Sequence, residues 1–295
     1  MPNLISPVDT IQKIFDYRAD IEKACKNEVF YPYMTLFFQP YPREILEAAR
    51  EHIIGIKLYP AGITTQSDSG VTDFNMIEPT LAIMEELQIP LLVHGESDGF
   101  VLDREGEFLV VYRRIVENFP ALHVIMEHIT TADAVSFVDT YDSVSATVTL
   151  HHLIITLDDV IGGLMQPHLF CKPIAKKPRD RQALRDAVFH GHPRIMFGSD
   201  SAPHPRHKKE CVGCAAGVFT APVALPLLAQ IFEEAESLDY LQGFVSDIAC
   251  RRYAISPPEK NIELEDKPYS VPTLFNDIRP FFAGEILRWS IRPPA

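Results

Sequence analysis

Apolar and polar positions along the chain alternate between two patterns. Short apolar runs rich in β-branched residues predict strands, and amphipathic stretches with helical spacing lie between most of them. The predicted strands are 30–38, 52–60, 89–96, 122–129, 143–154 and 194–200, and the predicted helices include 42–52, 75–88, 107–119 and 179–191. The order strand, helix, strand, helix favours an α/β fold with a parallel sheet and helical crossovers.

The ends of the predicted strands decide between two parallel architectures. The runs are apolar at nearly every residue, as expected when both faces of a sheet are covered, so a doubly wound sheet and a (β/α)₈ barrel both fit. Four of the runs end in a polar side chain, namely Lys57, His94, His128 or Asp200. In a barrel such ends converge on one point, where catalytic residues lie. We therefore expect a barrel formed by residues 1–295 as a single domain, with 256–295 as a C-terminal tail packed on it.

The composition excludes several classes of protein. The 295 residues are 46% hydrophobic and 23% charged, as in an ordinary globular protein, and the formal net charge is −13. The sequence has no basic stripe for a nucleic acid and no apolar run of membrane-spanning length. It also has no export signal, and its five scattered cysteines do not form a disulfide pattern. These features predict a cytoplasmic protein that binds neither nucleic acid nor membranes.

Some potential ligand pairs are interpreted as structural. Cys211 and Cys214 form a CxxC without a second ligand pair, so a packing role in a loop is expected. The HxH at 190–192 follows a helix and is not expected to bind metal. The adjacent histidines 151–152 follow the strand at 143–150, where alternation would point them in opposite directions, so at most one would face a site and a packing or loop role is expected. The charged segment 206–210 predicts a solvated loop, or alternatively one that attracts an acidic substrate.

The strand-end residues suggest metal chemistry. Imidazole and carboxylate ligands together suit zinc or a similar divalent ion. A lysine with a lowered pKa can react with carbon dioxide to form a carbamate, whose two oxygens can bridge two metal ions about 3.5–4 Å apart. We therefore predict that Lys57 is a carbamylated metal ligand. The alternative is that Lys57 extends to solvent or pairs with Asp200.

Several segments together carry a resemblance to a known family. The chain resembles dihydroorotases of the bacterial homodimeric type, in the amidohydrolase superfamily. The matching motifs are "MPNL" (1–4), "KLYPAGITT" (57–65), "LLVHGE" (91–96), "EHITT" (127–131), "PHLFCKPI" (167–174), "GSDSAPH" (198–204) and "FAGEILRWS" (282–290). The resemblance implies a (β/α)₈ barrel with two zinc ions, a homodimer, and the reversible cyclisation of N-carbamoyl-L-aspartate to L-dihydroorotate in pyrimidine synthesis.

The resemblance also assigns roles to the metal-binding positions. It implies that carbamylated Lys57 bridges the two zinc ions and that His94 and His128 bind one of them. Asp200 would bind the other zinc ion and act as the catalytic residue that transfers the proton.

The resemblance further assigns the positions that bind substrate. Asn3 and His204 would hold the substrate carboxylate, and backbone groups at Lys172 and Ala216 would meet the amide edges of the ring. Finally, Thr64 and Thr65 match the tip of a loop that closes over the substrate.

One family motif is absent. Dihydroorotases begin with a strand ending in HxHxR, whereas this chain opens at "MPNL", which matches the end of the second strand. We therefore expect the first strand and most of the second to be missing, through a wrong gene start or in a true short paralogue. We favour the wrong start because the other site residues are present. As it stands, the chain is expected to bind fewer than two zinc ions and to have little activity.

Two other functions remain open from the sequence. A hydantoinase or dihydropyrimidinase would use the same metals on a different cyclic amide. An inactive paralogue would use the barrel as a noncatalytic partner subunit.

Overall fold

The computed structural model describes residues 4–25, 30–62 and 74–292. The chain divides into two compact units. The first consists of Met1–Glu127, Phe137–Ala146 and Arg252–Pro258, and the second of His128–Ser136, Thr147–Arg251 and Glu259–Ala295. Within the described ranges, no helix is both long enough and apolar enough to cross a membrane.

Eight strands, eleven α-helices, four short 3₁₀ helices and one π-helical segment make up the regular structure of the described residues. The strands are β1 Thr35–Phe37, β2 Gly55–Leu58, β3 Leu91–Val93, β4 Val124–Met126, β5 Val144–Val148, β6 Ile195–Phe197, β7 Leu264–Ser270 and β8 Ile286–Ile291. The helices are α1 Ile11–Cys25, α2 Arg43–Ala49, α3 Glu78–Leu87, α4 Arg104–Asn118, α5 Ala132–Thr140, α6 Leu150–Ile154, α7 Leu157–Ile161, α8 Pro178–Phe189, α9 Arg206–Lys209, α10 Ala224–Glu234 and α11 Ile248–Tyr253.

Strands β1 to β6 form one sheet in chain order, and neighbours from β1 to β5 pair in parallel. In the first unit the register sets Lys57 beside Leu92, and Val93 beside Met126. The hydrogen bonding continues past the strand ends, because the amide of His94 donates to Leu58 (3.1 Å) and that of Glu127 donates to Val93 (3.0 Å). The carboxyl ends of β2, β3 and β4 are therefore held level with one another.

The predicted strands and helices are present, but most strands are shorter than predicted. The run 30–38 forms a strand only at Thr35–Phe37. Its first residues include Pro32, which cannot donate to a ladder, and the side chains of Phe30 and Tyr31 are exposed. The hydrophobic pattern alone therefore overestimates the length of this strand.

The run 143–154 contains both a strand and a helix. The strand ends at Val148, and the side chain of Thr149 then caps helix α6 by accepting a hydrogen bond from the amide of His152. The prediction that alternation points the histidines at 151–152 in opposite directions is therefore wrong. Their rings lie side by side, with centroids 4.5 Å apart, and both are buried.

The C-terminal segment forms a hairpin in the second unit. Strands β7 and β8 pair antiparallel with a bulge between Asp266 and Tyr269. The hairpin packs on α10, where the indole nitrogen of Trp289 donates to Glu233 (3.0 Å). The sequence predicted an extended tail here, because Pro268 and the charged positions of β7 hide its strand pattern.

Candidate active site

Lys57 is fully buried in strand β2, with 0% of its surface exposed. Its ammonium forms an ion pair with the carboxylate of Glu127, the residue that follows β4. The Nζ atom also lies 5.1 Å from the centre of the Tyr59 ring. The alternative that this lysine extends to solvent is wrong. A buried ammonium needs such a partner, since an unpaired charge in the interior is strongly destabilising.

His94 follows β3 and lies in the same unit as Lys57. Its ring is buried and stacks on Tyr59, with centroids 6.3 Å apart. Nε2 lies 2.9 Å from the carboxylate of Glu96, which is also buried. Burial lowers the pKa of His94, and Glu96 partly opposes that effect. If Nε2–H donates to Glu96, the lone pair of Nδ1 is directed away from this hydrogen bond, which is the tautomer a metal ligand requires.

His128 and Asp200 belong to the second unit and share an unusual backbone conformation. Each lies just beyond a strand end and has a positive φ, 46° for His128 and 36° for Asp200. L-residues rarely adopt this left-handed region, and when they do the strain is often found at functional sites. The amide of His128 donates to the hydroxyl of Thr147 (2.7 Å), which helps to hold the turn after β4.

The structure brings together part of the predicted substrate-binding set. The ring of His204 is half-buried, and its Nε2 lies 3.1 Å from the carbonyl oxygen of Ala216, so Nε2–H donates there. Burial lowers the pKa of His204, and the hydrogen bond to Ala216 opposes this. Lys172 precedes a cis peptide bond to Pro173 in a neighbouring segment of the same unit. Asn3, Thr64 and Thr65 lie outside the described residues.

A second group of potential ligands lies in the second unit. The ligand atoms of His151, His152 and Cys171 are within 4.8 Å of one another, and all three side chains are buried. Both ring nitrogens of His152 have hydrogen-bond partners. Nδ1 lies 2.8 Å from the hydroxyl of Thr149, and Nε2 lies 3.0 Å from the carbonyl oxygen of Pro173.

The thiol of Cys171 also donates to Pro173 (3.3 Å), and burial together with the charge of Asp200 raises its pKa to about 12. The arrangement is therefore that of a protonated thiol in a hydrogen-bonded cluster.

Three charged residues near these positions were missed by the sequence analysis. Glu127 directly precedes His128 and Glu96 lies two residues after His94, and only their burial and partners reveal a role. The third is Lys209, because the segment 206–210 was predicted to be solvated throughout. That prediction is wrong for Lys209, which is buried, whereas Lys208 is exposed. The cysteines of the CxxC are free thiols, and Cys211 is exposed.

Known proteins share extensive sequence similarity with this chain. No protein-family model matches the chain. A curated dihydroorotase from Helicobacter hepaticus is 40% identical over 302 residues, which cover 99% of this chain and 88% of that protein. The chain belongs to the dihydroorotase family. Dihydroorotases are metal-dependent cyclic amidohydrolases, so the predicted class of enzyme is confirmed.

Solved dihydroorotase structures are also closely similar. A dihydroorotase from Campylobacter jejuni is 50% identical with a TM-score of 0.94, and the match covers 99% of this chain and 87% of that one. The dihydroorotase from Saccharomyces cerevisiae in complex with 5-fluoroorotic acid is 36% identical with a TM-score of 0.91, covering 99% and 88% of the two chains. The predicted fold class, an α/β barrel of the metallo-dependent hydrolase type, is confirmed.

Proposed function

We propose that the chain catalyses the dihydroorotase reaction, the reversible cyclisation of N-carbamoyl-L-aspartate to L-dihydroorotate in pyrimidine synthesis. The proposal rests on membership of the family over 99% of the chain. The structural observation that carries it is the burial of Lys57 and His94 at the carboxyl ends of the adjacent parallel strands β2 and β3. The left-handed backbone at His128 and Asp200 is compatible with such a site, although five other non-glycine residues of the described ranges share it.

The residues present supply three ligands for one zinc ion and two for a second, so the fit is complete for the first ion only. The donor set of two imidazoles and a carboxylate is one that zinc prefers, and the Glu96 contact of His94 is the kind of outer hydrogen bond that orients a metal-binding imidazole. We propose that His94 and His128 would hold one ion and Asp200 the other, with carbamylated Lys57 as a further ligand. Zinc in such a site supplies Lewis acidity and lowers the pKa of a bound water to near neutrality.

Lys57 needs to change state before it can serve as a ligand. In the structure its Nζ atom is paired with the carboxylate of Glu127. Carbamylation requires the neutral amine, and the carbamate carries a negative charge that Glu127 would repel. Cations held by the site would balance the negative charges of Glu127 and the carbamate, and the proton released when the amine reacts with carbon dioxide would pass to solvent.

The chain's own side chains would perform the proton transfer and hold the substrate. In the direction of ring opening, a carboxylate oxygen of Asp200 accepts a proton from the attacking water. The same carboxyl group then gives that proton to the amide nitrogen that leaves, and cyclisation reverses both steps. His204 binds the substrate carboxylate together with Asn3, and the backbone at Lys172 and Ala216 faces the amide edges of the ring. The resemblance assigns Thr64 and Thr65, which lie outside the described residues, to a loop that closes over the substrate.

The substrate is tested by comparing cyclic amides. Turnover of L-dihydroorotate is expected to exceed that of dihydrouracil and hydantoin, since the last two lack the carboxylate that His204 binds. Faster turnover of hydantoin or dihydrouracil would favour the hydantoinase function. Solved hydantoinases share the fold but little sequence, as an Arthrobacter aurescens L-hydantoinase is 17% identical with a TM-score of 0.81.

The carbamate is tested by isotope labelling. The protein is incubated with zinc and ¹³C-bicarbonate and is then examined by ¹³C NMR for a carbamate resonance. Lys57→Arg is expected to lack the signal, because a guanidinium does not form a carbamate under these conditions. Lys176→Arg is the matched control at a second buried lysine and is expected to retain it. A signal that survives Lys57→Arg would refute this role of Lys57.

The resemblance to homodimeric dihydroorotases extends the proposal to assembly and location. We propose a cytoplasmic homodimer. Sedimentation equilibrium is expected to give about twice the chain mass of 33.3 kDa, and a mass equal to that of one chain would contradict the dimer.

A further inference from the structure

Lys209 is a buried lysine that the proposed reaction does not use. It ends the short helix α9 in the second unit, and only 2% of its surface is exposed. Its neighbour Lys208 is exposed. Burial of an ammonium requires an acceptor for each of its three protons, because unsatisfied donors are costly in the interior. The burial of Lys209 therefore indicates a specific set of partners.

Three backbone carbonyls supply those partners. The Nζ atom donates to Phe170 (2.9 Å), to Ala215 (2.7 Å) and to Gly217 (2.8 Å). Each proton of the ammonium thus has one acceptor. Charge-assisted hydrogen bonds of this kind are stronger than those between neutral groups, so the three carbonyls are held firmly at one point.

The three carbonyls surround the backbone that we propose for substrate recognition. Ala215 and Gly217 flank Ala216, and Phe170 lies two residues before Lys172. The two segments are also joined directly, because the amide of Gly217 donates to the carbonyl of Phe170 (2.9 Å). Lys209 therefore connects the two peptide segments through a single charged group.

The same hydrogen-bond network includes His204, the residue proposed to bind the substrate carboxylate. Nε2–H of His204 donates to the carbonyl of Ala216, the one residue of the segment 215–217 whose carbonyl Lys209 does not bind. A shift of this segment would therefore move the ring of His204 as well as the backbone of Ala216.

We propose that Lys209 is a positioning residue for substrate recognition, which fixes the backbone at Lys172 and Ala216 at the spacing that the amide edges of the ring require. This inference deepens the proposed function and rests on it. Among the described residues, the hydrogen-bond partners of Lys209 include none of the proposed metal ligands. Loss of its ammonium is therefore expected to weaken binding of ring ligands and to leave zinc binding intact.

The test compares Lys209→Met with Lys208→Met, which removes the same charge from the exposed neighbour. For each purified protein, calorimetry measures the affinity for 5-fluoroorotate and for zinc. Lys209→Met is expected to weaken 5-fluoroorotate binding by about tenfold or more, since a small misplacement of binding groups is costly. Its zinc affinity should stay within about twofold of the wild type, and Lys208→Met should match the wild type for both ligands.

Each of the alternative results would contradict a specific part of the proposal. If Lys209→Met binds 5-fluoroorotate as tightly as the wild type, Lys209 does not position the site. If affinities for zinc and 5-fluoroorotate fall together, Lys209 has only a general structural role. If the wild-type protein binds no 5-fluoroorotate and does not turn over L-dihydroorotate, the proposed function fails, and the inference fails with it.

A second variant covers the case in which Lys209→Met does not fold, as judged by circular dichroism. Gly217→Ala displaces the same segment, because a Cβ at Gly217 would lie 2.5 Å from the Cβ of Ala202 and 2.9 Å from its carbonyl oxygen. It is expected to weaken 5-fluoroorotate binding with zinc affinity retained. An unchanged 5-fluoroorotate affinity in this variant would equally overturn the proposal.

Discussion

At the residue scale, the first unit contains a chain of buried polar contacts that ends at a proposed ligand. Glu127 pairs with Lys57, and Tyr59 lies against both Lys57 and the ring of His94. Glu96 then fixes Nε2 of His94. Buried polar groups of this kind stabilise a fold only when each has its partner. The geometry of His94 is therefore determined by Glu96 as well as by strand β3.

Glu96→Gln tests this dependence. The amide can still accept a hydrogen bond from Nε2–H, but it removes the negative charge that makes the imidazole a better donor to zinc. Zinc affinity, measured by competition with a chromogenic chelator, is expected to fall by about 10- to 100-fold. Glu117→Gln, at an exposed position of α4, is the control and should bind zinc as the wild type does. Equal affinities in the two variants would show that Glu96 does not act on the metal site.

The sequence predicted the residues whose positions follow from a local pattern. Lys57, His94, His128 and Asp200 each end an apolar run, which is visible without any tertiary information. The role of Lys209 was not predictable in this way, because its acceptor Phe170 lies 39 residues away in sequence. Burial of a charged side chain depends on such distant partners, so composition and spacing carry no signal for it.

At the scale of elements, the existence and order of strands and helices were predictable, whereas their lengths were not. Apolar runs extend beyond the hydrogen-bonded ladder because residues outside a strand can also be buried, as Phe38 is next to β1. The hairpin of β7 and β8 was missed because most of β7 is exposed and carries no apolar alternation.

The hairpin offers a matched pair of substitutions on adjacent residues of β8. Leu287 is 1% exposed, whereas the preceding Ile286 is 71% exposed. Leu287→Ala is expected to lower the free energy of unfolding by about 3 kcal/mol, through lost burial and the cavity that remains. Ile286→Ala is expected to change it by less than about 0.5 kcal/mol. Urea denaturation measures both, and similar losses in the two variants would show that the buried face of β8 contributes no special stability.

His123 links three segments of the first unit and should respond to pH. It lies just before β4, where its Nε2 is 3.1 Å from the hydroxyl of Ser145 in β5 and accepts from Nε of Arg252 in α11 (3.2 Å). Burial, together with the positive charge of Arg252, lowers the pKa of His123 to about 4. The folded protein therefore keeps this ring neutral at a pH at which an unfolded chain would protonate it.

The sign of the effect follows from the lowered pKa. Between about pH 6.5 and pH 4, His123 binds a proton in the unfolded chain but not in the folded chain. The contribution of the neutral ring to the free energy of unfolding is therefore present above pH 6.5 and is lost as the pH falls. His123→Gln is expected to reduce the loss of unfolding free energy across this range by about 2–3 kcal/mol. Urea titrations at several pH values measure it. An unchanged slope in His123→Gln would contradict the assignment.

At the scale of the whole molecule, the net charge of −13 opposes the approach of anionic substrates. N-carbamoyl-L-aspartate carries two carboxylates and L-dihydroorotate carries one, so repulsion should slow the first substrate more. Added salt screens charges separated by more than about 10 Å at 0.1 M ionic strength.

Fixed-time activity assays at a series of salt concentrations test this expected repulsion. kcat/KM for N-carbamoyl-L-aspartate is expected to rise by about twofold between 0.01 and 0.1 M salt, and that for L-dihydroorotate by less. Sodium chloride and sodium acetate should give the same curve if screening is the cause. A value that falls with salt for both substrates would mean that local positive charge at the site outweighs the net charge.

The left-handed backbone at His128 and Asp200 has a consequence for any effort to make this protein more heat-resistant. Glycine adopts that conformation freely, and relieving an L-residue of it is worth about 1 kcal/mol. Directed evolution that selected only for survival on heating would therefore tend to replace this imidazole and this carboxylate with glycine. The resulting variants would be more heat-stable but inactive, so a library screened for thermal stability also needs a selection for turnover.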